Sequence, residues 1–382
     1  MVEGNVVIIG AGAMGGWTAF FLQQQGAKVT LIDSWGGGNS RASSGGETRV
    51  IRSGYGKDSL YTAWSRRALM YWKHYQTVWG KELFLQTGVL WLAAEEGGYE
   101  SDCLAEMNRQ KIPVERLPLS EMTARYPQIS TEGLSFALFE PESGVLMARR
   151  SCQIVTEEVV RSGGRFELQT VKPGDAKRGR LENLLAVDGS KIKADKFVFA
   201  CGPWLPQMFP EILSNRIRVT KQDVIFYGTP RGDNRFTAPH LPTWIEMSRP
   251  IYGVPSVDGR GFKVAPHLSG PEFDPTNGMR MASPESIEMT RKYLAIRFPA
   301  LKDQPVVETR TCQYESTPNE HFVIDRHPEL ENVWILGGGS GHSFKMGPAL
   351  GEYAAEHIAG RSKEPVAERF RLSPLNRTEE SA

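Results

Sequence analysis

Val6-Val7-Ile8-Ile9-Gly10-Ala11-Gly12-Ala13-Met14-Gly15-Gly16 is followed, through Gly26, by Lys28-Val29-Thr30-Leu31-Ile32-Asp33. The first apolar, β-branched run reads as a strand. Gly-x-Gly-x-x-Gly succeeds it, then an apolar-periodic segment (Ala19, Phe20, Leu22), then a second β-like run ending in an acid. The order is strand, tight turn, helix, strand, carboxylate. Gly10 permits the tight turn, Gly12 clears the backbone for a pyrophosphate, and Gly15 lets the helix pack closely on the sheet. The helix N-terminus offers free N–H groups and the positive end of a dipole to the phosphates. Asp33 is placed to accept hydrogen bonds from both ribose hydroxyls, which favours FAD or NAD over NADP. A lone glycine fingerprint also fits an empty turn; the complete βαβ unit with its terminal acid is what makes it specific.

Outward from this unit, 382 residues suffice for two domains or one large α/β unit. A net charge of +1 shows no nucleic-acid or acidic-membrane footprint. No apolar run reaches the length of a membrane span, and the sequence enters a strand at once, with no leader pattern. Cys103, Cys152, Cys201 and Cys312 are scattered, without a C-x-x-C pair. That spacing suits reduced thiols and a cytoplasmic setting, not a disulfide framework or a metal site.

After Asp33 the chain is loop-like from Trp35 to Thr48, glycine- and serine-rich, and delivers Arg49 and Arg52 into an apolar context. Such a run is either a solvated linker or a loop wrapping an anionic ligand. Periodicity predicts helices over 58–79, 99–109, 119–125 and 147–162, and strands over 87–93, 133–139 and 166–171. Asp175–Arg180 reads as a turn and Leu184–Val187 as part of a meander. The strand Ala194–Ala200 runs into Cys201-Gly202-Pro203-Trp204, a small-residue turn. A mostly β passage follows (219–227, 243–246, 251–255, 261–267), then a helix over 284–297 begun by Ser283-Pro284. The chain returns through Val306–Tyr314, the Thr317-Pro318 turn and strands at 322–325 and 333–336. Gly337-Gly338-Gly339-Ser340-Gly341 then leads into a helix ending near Ile358, a second glycine-rich junction able to point N–H groups at an acceptor.

These residues resemble the monomeric sarcosine oxidase family, among the glycine and D-amino-acid oxidase flavoproteins. The opening βαβ carries the resemblance, with Ser43-Ser44-Gly45-Gly46-Glu47-Thr48-Arg49-Val50-Ile51-Arg52, Gly261-Phe262-Lys263 with His267, Cys312-Gln313-Tyr314 with Thr317-Pro318 and Phe322-Val323-Ile324-Asp325, and Gly341-His342-Ser343-Phe344-Lys345. It covers nearly the whole chain in order. It implies an α/β (α+β) fold: a Rossmann-like FAD-binding domain (1–82, 147–215 and 310–370), a discontinuous β-rich substrate domain (83–146 and 216–309), and a polar tail at 371–382.

The resemblance also implies roles. Cys312 would attach covalently to the flavin's C8 methyl, its thiolate favoured by Arg310 or Arg49. Lys263 would sit over the flavin face where oxygen reacts, and Arg49 on the other side. Arg52 and Lys345 would hold a substrate carboxylate, with His267 and Tyr252 around its amine. The FAD site would comprise Gly10, Gly12, Met14, Gly15, Asp33, Ser43, Ser44, Thr48, Arg49, Val171, Ala200, Gly202, Trp204, Cys312, Tyr314, Gly339, Gly341, His342, Phe344 and Lys345. Three departures fall on the expected substrate side: Gly45 in place of a histidine common in the family loop, the passage Ile245–Pro250, and Met346-Gly347-Pro348-Ala349 after Lys345.

The expected activity is oxidation of a small carboxylated secondary amine, such as an N-methyl amino acid or an imino acid, with molecular oxygen as acceptor. The expected state is a monomer with neither nucleic-acid nor membrane partners. The rival within enzymes is a flavin dehydrogenase serving a quinone or a protein carrier. A nicotinamide dehydrogenase fits the opening motif alone, and a non-catalytic nucleotide-binding module would not need Arg52, Lys263 and Lys345 together.

Overall fold

The computed structural model describes residues 4–372. Of the polar tail, residues 373–382 lie outside them.

The opening unit folds as its pattern predicts: strand Asn5–Ile9, helix Ala13–Gln24, strand Lys28–Asp33. Around it a six-stranded sheet runs in the order Val323–Arg326, Val333–Gly337, Lys196–Phe199, Asn5–Ile9, Lys28–Asp33, Arg165–Leu168. Its pairings are parallel except the antiparallel edge made by Val323–Arg326. The chain leaves the first strand toward Lys28–Asp33 on one side and meets Lys196–Phe199 on the other. This reversal opens a crevice at the strands' carboxyl ends, where doubly wound sheets bind their ligands.

Helices Ala13–Gln24, Ser59–Trp79, Ala148–Arg161 and Gly347–Ile358 share one apolar core with this sheet. A Cβ on Gly347 or Gly351 would come within 2.8 or 2.6 Å of Trp17, so these glycines set how closely the first and last helices approach. Met346 and Gly347 are likewise buried in this packing. The departure seen in the sequence after Lys345 therefore falls on helix packing and not on the substrate side.

The second sheet has eight strands, ordered Val306–Ser316, Arg218–Tyr227, Phe262–Pro266, Ile251–Val254, Thr243–Glu246, Val89–Ala93, Phe136–Glu140, Glu115–Pro118. Val306–Ser316 pairs along its length with Arg218–Tyr227, so the boundary expected at residue 310 cuts through a strand and needs correction: both halves of that strand belong with the eight-stranded sheet. A small sheet of Arg49–Ile51, Gly144–Leu146 and Phe84–Leu85 spans the other boundary, near 82. Two local readings also change. The segment 166–171 breaks at Gln169-Thr170, sending Arg165–Leu168 to the main sheet and Val171–Pro173 to a separate three-stranded one. Asp175–Arg180 belongs to a two-stranded hairpin turned by Arg178 and Gly179 at positive φ.

Candidate active site

At the crevice, Gly10 has φ +107 and a Cβ there would lie 2.3 Å from the Ala200 carbonyl; a Cβ on Gly15 would lie 1.9 Å from the Gly10 carbonyl. These two glycines make the strand–helix junction possible. The first-turn N–H groups of Ala13–Gln24 have no intrahelical partner, and Gly12 provides no side-chain cap. Ser44 Oγ accepts from the Ala13 N–H at 3.1 Å. Asp33 accepts from the Ala11 N–H (2.9 Å) with one oxygen and from those of Trp35 and Gly36 (2.8 Å each) with the other. Burial raises its pKa, against these three donors, which lower it.

A cavity of about 330 Å³ occupies the crevice. Gly10, Gly12, Met14 and Asp33 line it from the opening unit, and Ser43, Ser44 and Arg49 from the loop that follows. Val171, Ala200, Gly202 and Trp204 close one side; Cys312, Tyr314, Gly339, Gly341 and Phe344 close the other. Gly15 lies beneath the turn, not on the cavity. Thr48 lines no cavity wall either: its carbonyl accepts from Lys263 Nζ at 3.0 Å and from Arg49 Nη1 at 2.8 Å. His342 and Lys345 face a neighbouring space.

That space, about 70 Å³, shares Arg49, Cys312, Tyr314, Gly341 and Phe344 with the larger cavity. Arg52, Gln222, Asp223, Tyr252, His267, His342 and Lys345 add polar lining, and Ile245 and Met247 supply apolar surface. Between the latter two, Glu246 points away, into a buried pair with Arg297 and a hydrogen bond from Tyr293.

Arg52 donates to the Gly54 carbonyl, and its guanidinium lies 4.4 Å from the Tyr55 ring centre and 4.8 Å from that of Trp91. Lys345, 6% exposed, donates to Tyr55 OH at 2.7 Å and to the His342 carbonyl at 3.0 Å. Burial, then Arg52, drives the Lys345 pKa well below that of a free lysine. The nearby Glu140 is engaged elsewhere, accepting from the Ser53 and Gly54 N–H groups, Trp91 Nε1 and Ser143 Oγ. Two cations thus converge on one small cavity, and neither makes an ion pair among the described residues. His267 lies 3.5 Å through Nδ1 from Tyr314 OH, and burial, with Arg52 and Lys345, lowers its pKa to about 4. It is neutral near pH 7. His342 is neutral too, lowered to about 3 chiefly by burial, and packs 4.7 Å from the Phe322 ring.

Arg49 Nη2 donates to Cys312 Sγ at 3.1 Å. Arg310, the other arginine expected beside Cys312, is instead paired with Glu308 at 2.5 Å and Glu47 at 3.6 Å. Cys312 stands inside its strand, opposite Gln222, not at the strand's end. Lys263, 2% exposed, lines a small cavity of about 30 Å³ on the far side of Cys312 and Arg49. Burial and Arg49 push its ammonium down to about 7. Gly45 lines that same recess, and a Cβ there would lie 1.8 Å from the Asn39 carbonyl, so the loop in this form excludes the histidine.

Three contributors escaped the sequence reading: Tyr55, which contacts both cations; Glu315, a buried acid in the larger cavity; and Asp223, on the wall of the smaller one. Tyr55 stands three residues after Arg52, but only the fold carries Lys345 to it.

The cleared turn, the first-turn donors beyond Ala13 and the acid at the second strand's end fit a flavin adenine dinucleotide. The sequence matches the family described as "DAO: FAD dependent oxidoreductase" over residues 5–357. The chain belongs to that family. This FAD-dependent oxidoreductase is 30% identical over 357 residues to a monomeric sarcosine oxidase of a Bacillus species, covering 92% of each chain. It is 25% identical over 355 residues to N-methyl-L-tryptophan oxidase of Yersinia pestis, covering 92% of this chain and 94% of that one. The crystal structure of L-proline dehydrogenase from P. horikoshii superposes with a TM-score of 0.82, at 23% identity over 95% of each chain. Sequence and fold therefore place this flavoenzyme with the sarcosine-oxidase-like amine oxidoreductases. No helix among the described residues is long and apolar enough to cross a membrane.

Proposed function

We propose that this enzyme oxidises a small carboxylated secondary amine, an N-methyl amino acid, imino acid or related N-substituted amino acid, and hands the electrons to oxygen. The observation that carries this reading is the pair of cations, half-buried Arg52 and buried Lys345, without an ion pair among the described residues, in a cavity sharing a wall with the one that suits the flavin. A forked guanidinium and an ammonium suit a carboxylate, and a 70 Å³ space suits a small one. The names of the sarcosine and N-methyl-L-tryptophan oxidases support the same substrate class.

Bound FAD supplies the two-electron acceptor for the C–H bond beside nitrogen. The chain's residues supply position and charge. Arg52 and Lys345 anchor the carboxylate, which orients the amine toward the shared wall. His267, neutral, and Tyr252 offer hydrogen-bonding groups around that amine without repelling it. The amine leaves as an imine, which water hydrolyses. Lys263, on the far side of Cys312, gives the oxygen step a cation where negative charge develops, yielding hydrogen peroxide. Cys312 would be the covalent attachment point, its Sγ held 3.1 Å from the Arg49 guanidinium. A monomer suffices for this arrangement, since one chain supplies every wall.

The deciding experiment is oxygen uptake by the purified yellow protein with a panel of N-methyl amino acids, imino acids and their methyl esters. Peroxide formation with the free acids, and little with the esters, is expected. Turnover only with a quinone or dye would assign the dehydrogenase reading; equal turnover of acids and esters would remove the carboxylate clamp.

A further inference from the structure

Glu315 is a buried carboxyl that neither the carboxylate clamp nor the oxygen step uses. It is 6% exposed and lines the larger cavity. Ser43 Oγ donates to its Oε2 at 3.1 Å. A Cβ added to Gly339 would lie 2.8 Å from its Oε1, and one added to Gly202 3.8 Å from Oε2, so two glycines open the space around it. No lysine, arginine or histidine pairs with it among the described residues. A buried carboxylate without a cation is costly, and here it is set among the backbone turns of a dinucleotide site. The sequence gives no hint of this, because residue 315 stands in the run between Tyr314 and Thr317-Pro318 like any strand residue.

We propose that Glu315 is a cofactor-binding acid: its protonated carboxyl donates a hydrogen bond to a diphosphate oxygen of FAD. An ionised carboxylate beside a diphosphate repels it, whereas the neutral acid offers one donor and keeps its acceptor for Ser43. Burial already pushes the Glu315 carboxyl up to about 7, against the lowering hydrogen bonds from Ser43 and the Gly339 N–H. A neighbouring diphosphate raises it further. The groups sharing its surroundings do not supply the same signal. Asp33 is also raised by burial, against three N–H donors, but it is untouched in Glu315→Gln, so that variant separates the two carboxyls; Cys201 and Tyr314 are driven far up by burial. Arg49 is committed to Ser43, Thr48 and Cys312. Lys263 is also pushed down to about 7 by burial and Arg49, but it faces the recess beyond Cys312. Substitution at Glu315 separates the two.

The inference rests on FAD binding in the larger cavity, not on the substrate assigned to the smaller one. Its test is reversible FAD binding to cofactor-free Cys312→Ser protein between pH 6 and 9, read by quenching of flavin fluorescence. If the unmodified protein already releases its flavin, it is titrated directly, so a missing tether does not compromise the result. The dissociation constant should rise with pH, approaching about tenfold per unit once the carboxyl ionises in the free protein. Glu315→Gln, which keeps a donor and cannot ionise, should bind at least as tightly at pH 6 and lose most of the slope. Glu315→Ala should bind more weakly and be equally flat. Riboflavin, lacking phosphate, should show no slope. A slope unchanged in Glu315→Gln, a flat profile in the parent, or a slope persisting with riboflavin would overturn the proposal. Melting curves of the cofactor-free variants identify any that fail to fold, and Glu315→Gln, nearly isosteric, carries the decision.

Discussion

Lys263 illustrates how burial sets a side chain's working range. With its ammonium lowered to about 7, it is charged below that pH and increasingly neutral above it. If its charge serves the oxygen step, reoxidation of reduced flavin should slow as pH rises through about 7 to 8, while anaerobic reduction by substrate keeps a different profile. Lys263→Met should slow reoxidation about 100- to 1000-fold, the scale for removing one pre-organised charge-stabilising donor, and flatten that pH dependence. Stopped-flow traces in which reduction suffers more would take Lys263 out of this role. Arg52→Ala and Lys345→Ala form a second pair. Each should weaken binding of a carboxylate inhibitor by about 2–5 kcal/mol, as truncation of one partner of a buried charged contact does, and affect an uncharged amine little. Comparable losses for both ligand types, measured by spectral titration, would make the cations structural. At this scale the sequence pointed to the two cations that the fold brings into one cavity, since both lie in distinctive motifs. It was silent on Tyr55 and Glu315, whose importance comes from partners 290 residues away and 272 residues away in the chain.

Elements decide which side chains meet. The strand Val306–Ser316 was legible as a strand, but its reach was not: only pairing with all of Arg218–Tyr227 shows that Cys312 lies within a paired edge strand and not at its end. Residues two apart share a face, so Cys312 and Tyr314 project together onto the wall common to both cavities. The opening βαβ unit was readable almost to the residue, because its glycines are demanded by backbone contacts shorter than any side chain allows. The departure at Met346–Ala349 misled for the same reason: its glycine answers to Trp17 across the helix interface, a distant contact with no local signature. Given this strand geometry, acid precipitation should leave the flavin's absorbance with the protein. Mass spectrometry should then find the flavin on the peptide containing Cys312. Cys103 and Cys152, buried in helices with thiols pushed up to about 12, should stay unmodified. Complete release of flavin by acid would show that Arg49 and Cys312 meet without forming the bond.

At the scale of the whole molecule, the cavity proposed for the flavin lies where separately built sheets meet. Gly10, Asp33 and Ala200 come from the six-stranded sheet and its first turn, Cys312 and Tyr314 from the eight-stranded one, and Gly339 and Gly341 from the returning loop. Each sheet buries a core of its own, and the cofactor is expected to couple the two. A ligand bound only to the native state adds about 2.7 kcal/mol at 100 times its dissociation constant. Cofactor-free Cys312→Ser protein should therefore melt at a lower temperature than the same protein with saturating FAD, the gap widening with FAD concentration. Hydrogen exchange should locate the change. Amides of Gly12–Gly15, Ser43–Thr48 and Gly339–Ser343 should gain protection together when FAD binds, because one ligand spans all three loops, while Phe136–Glu140, remote in the eight-stranded sheet, should change little. Protection gained at the first loop alone would mean that only the opening unit holds the cofactor. The two sheets would then be joined by their own contacts, through the pairing of Arg49–Ile51 with Gly144–Leu146, and not by the flavin between them.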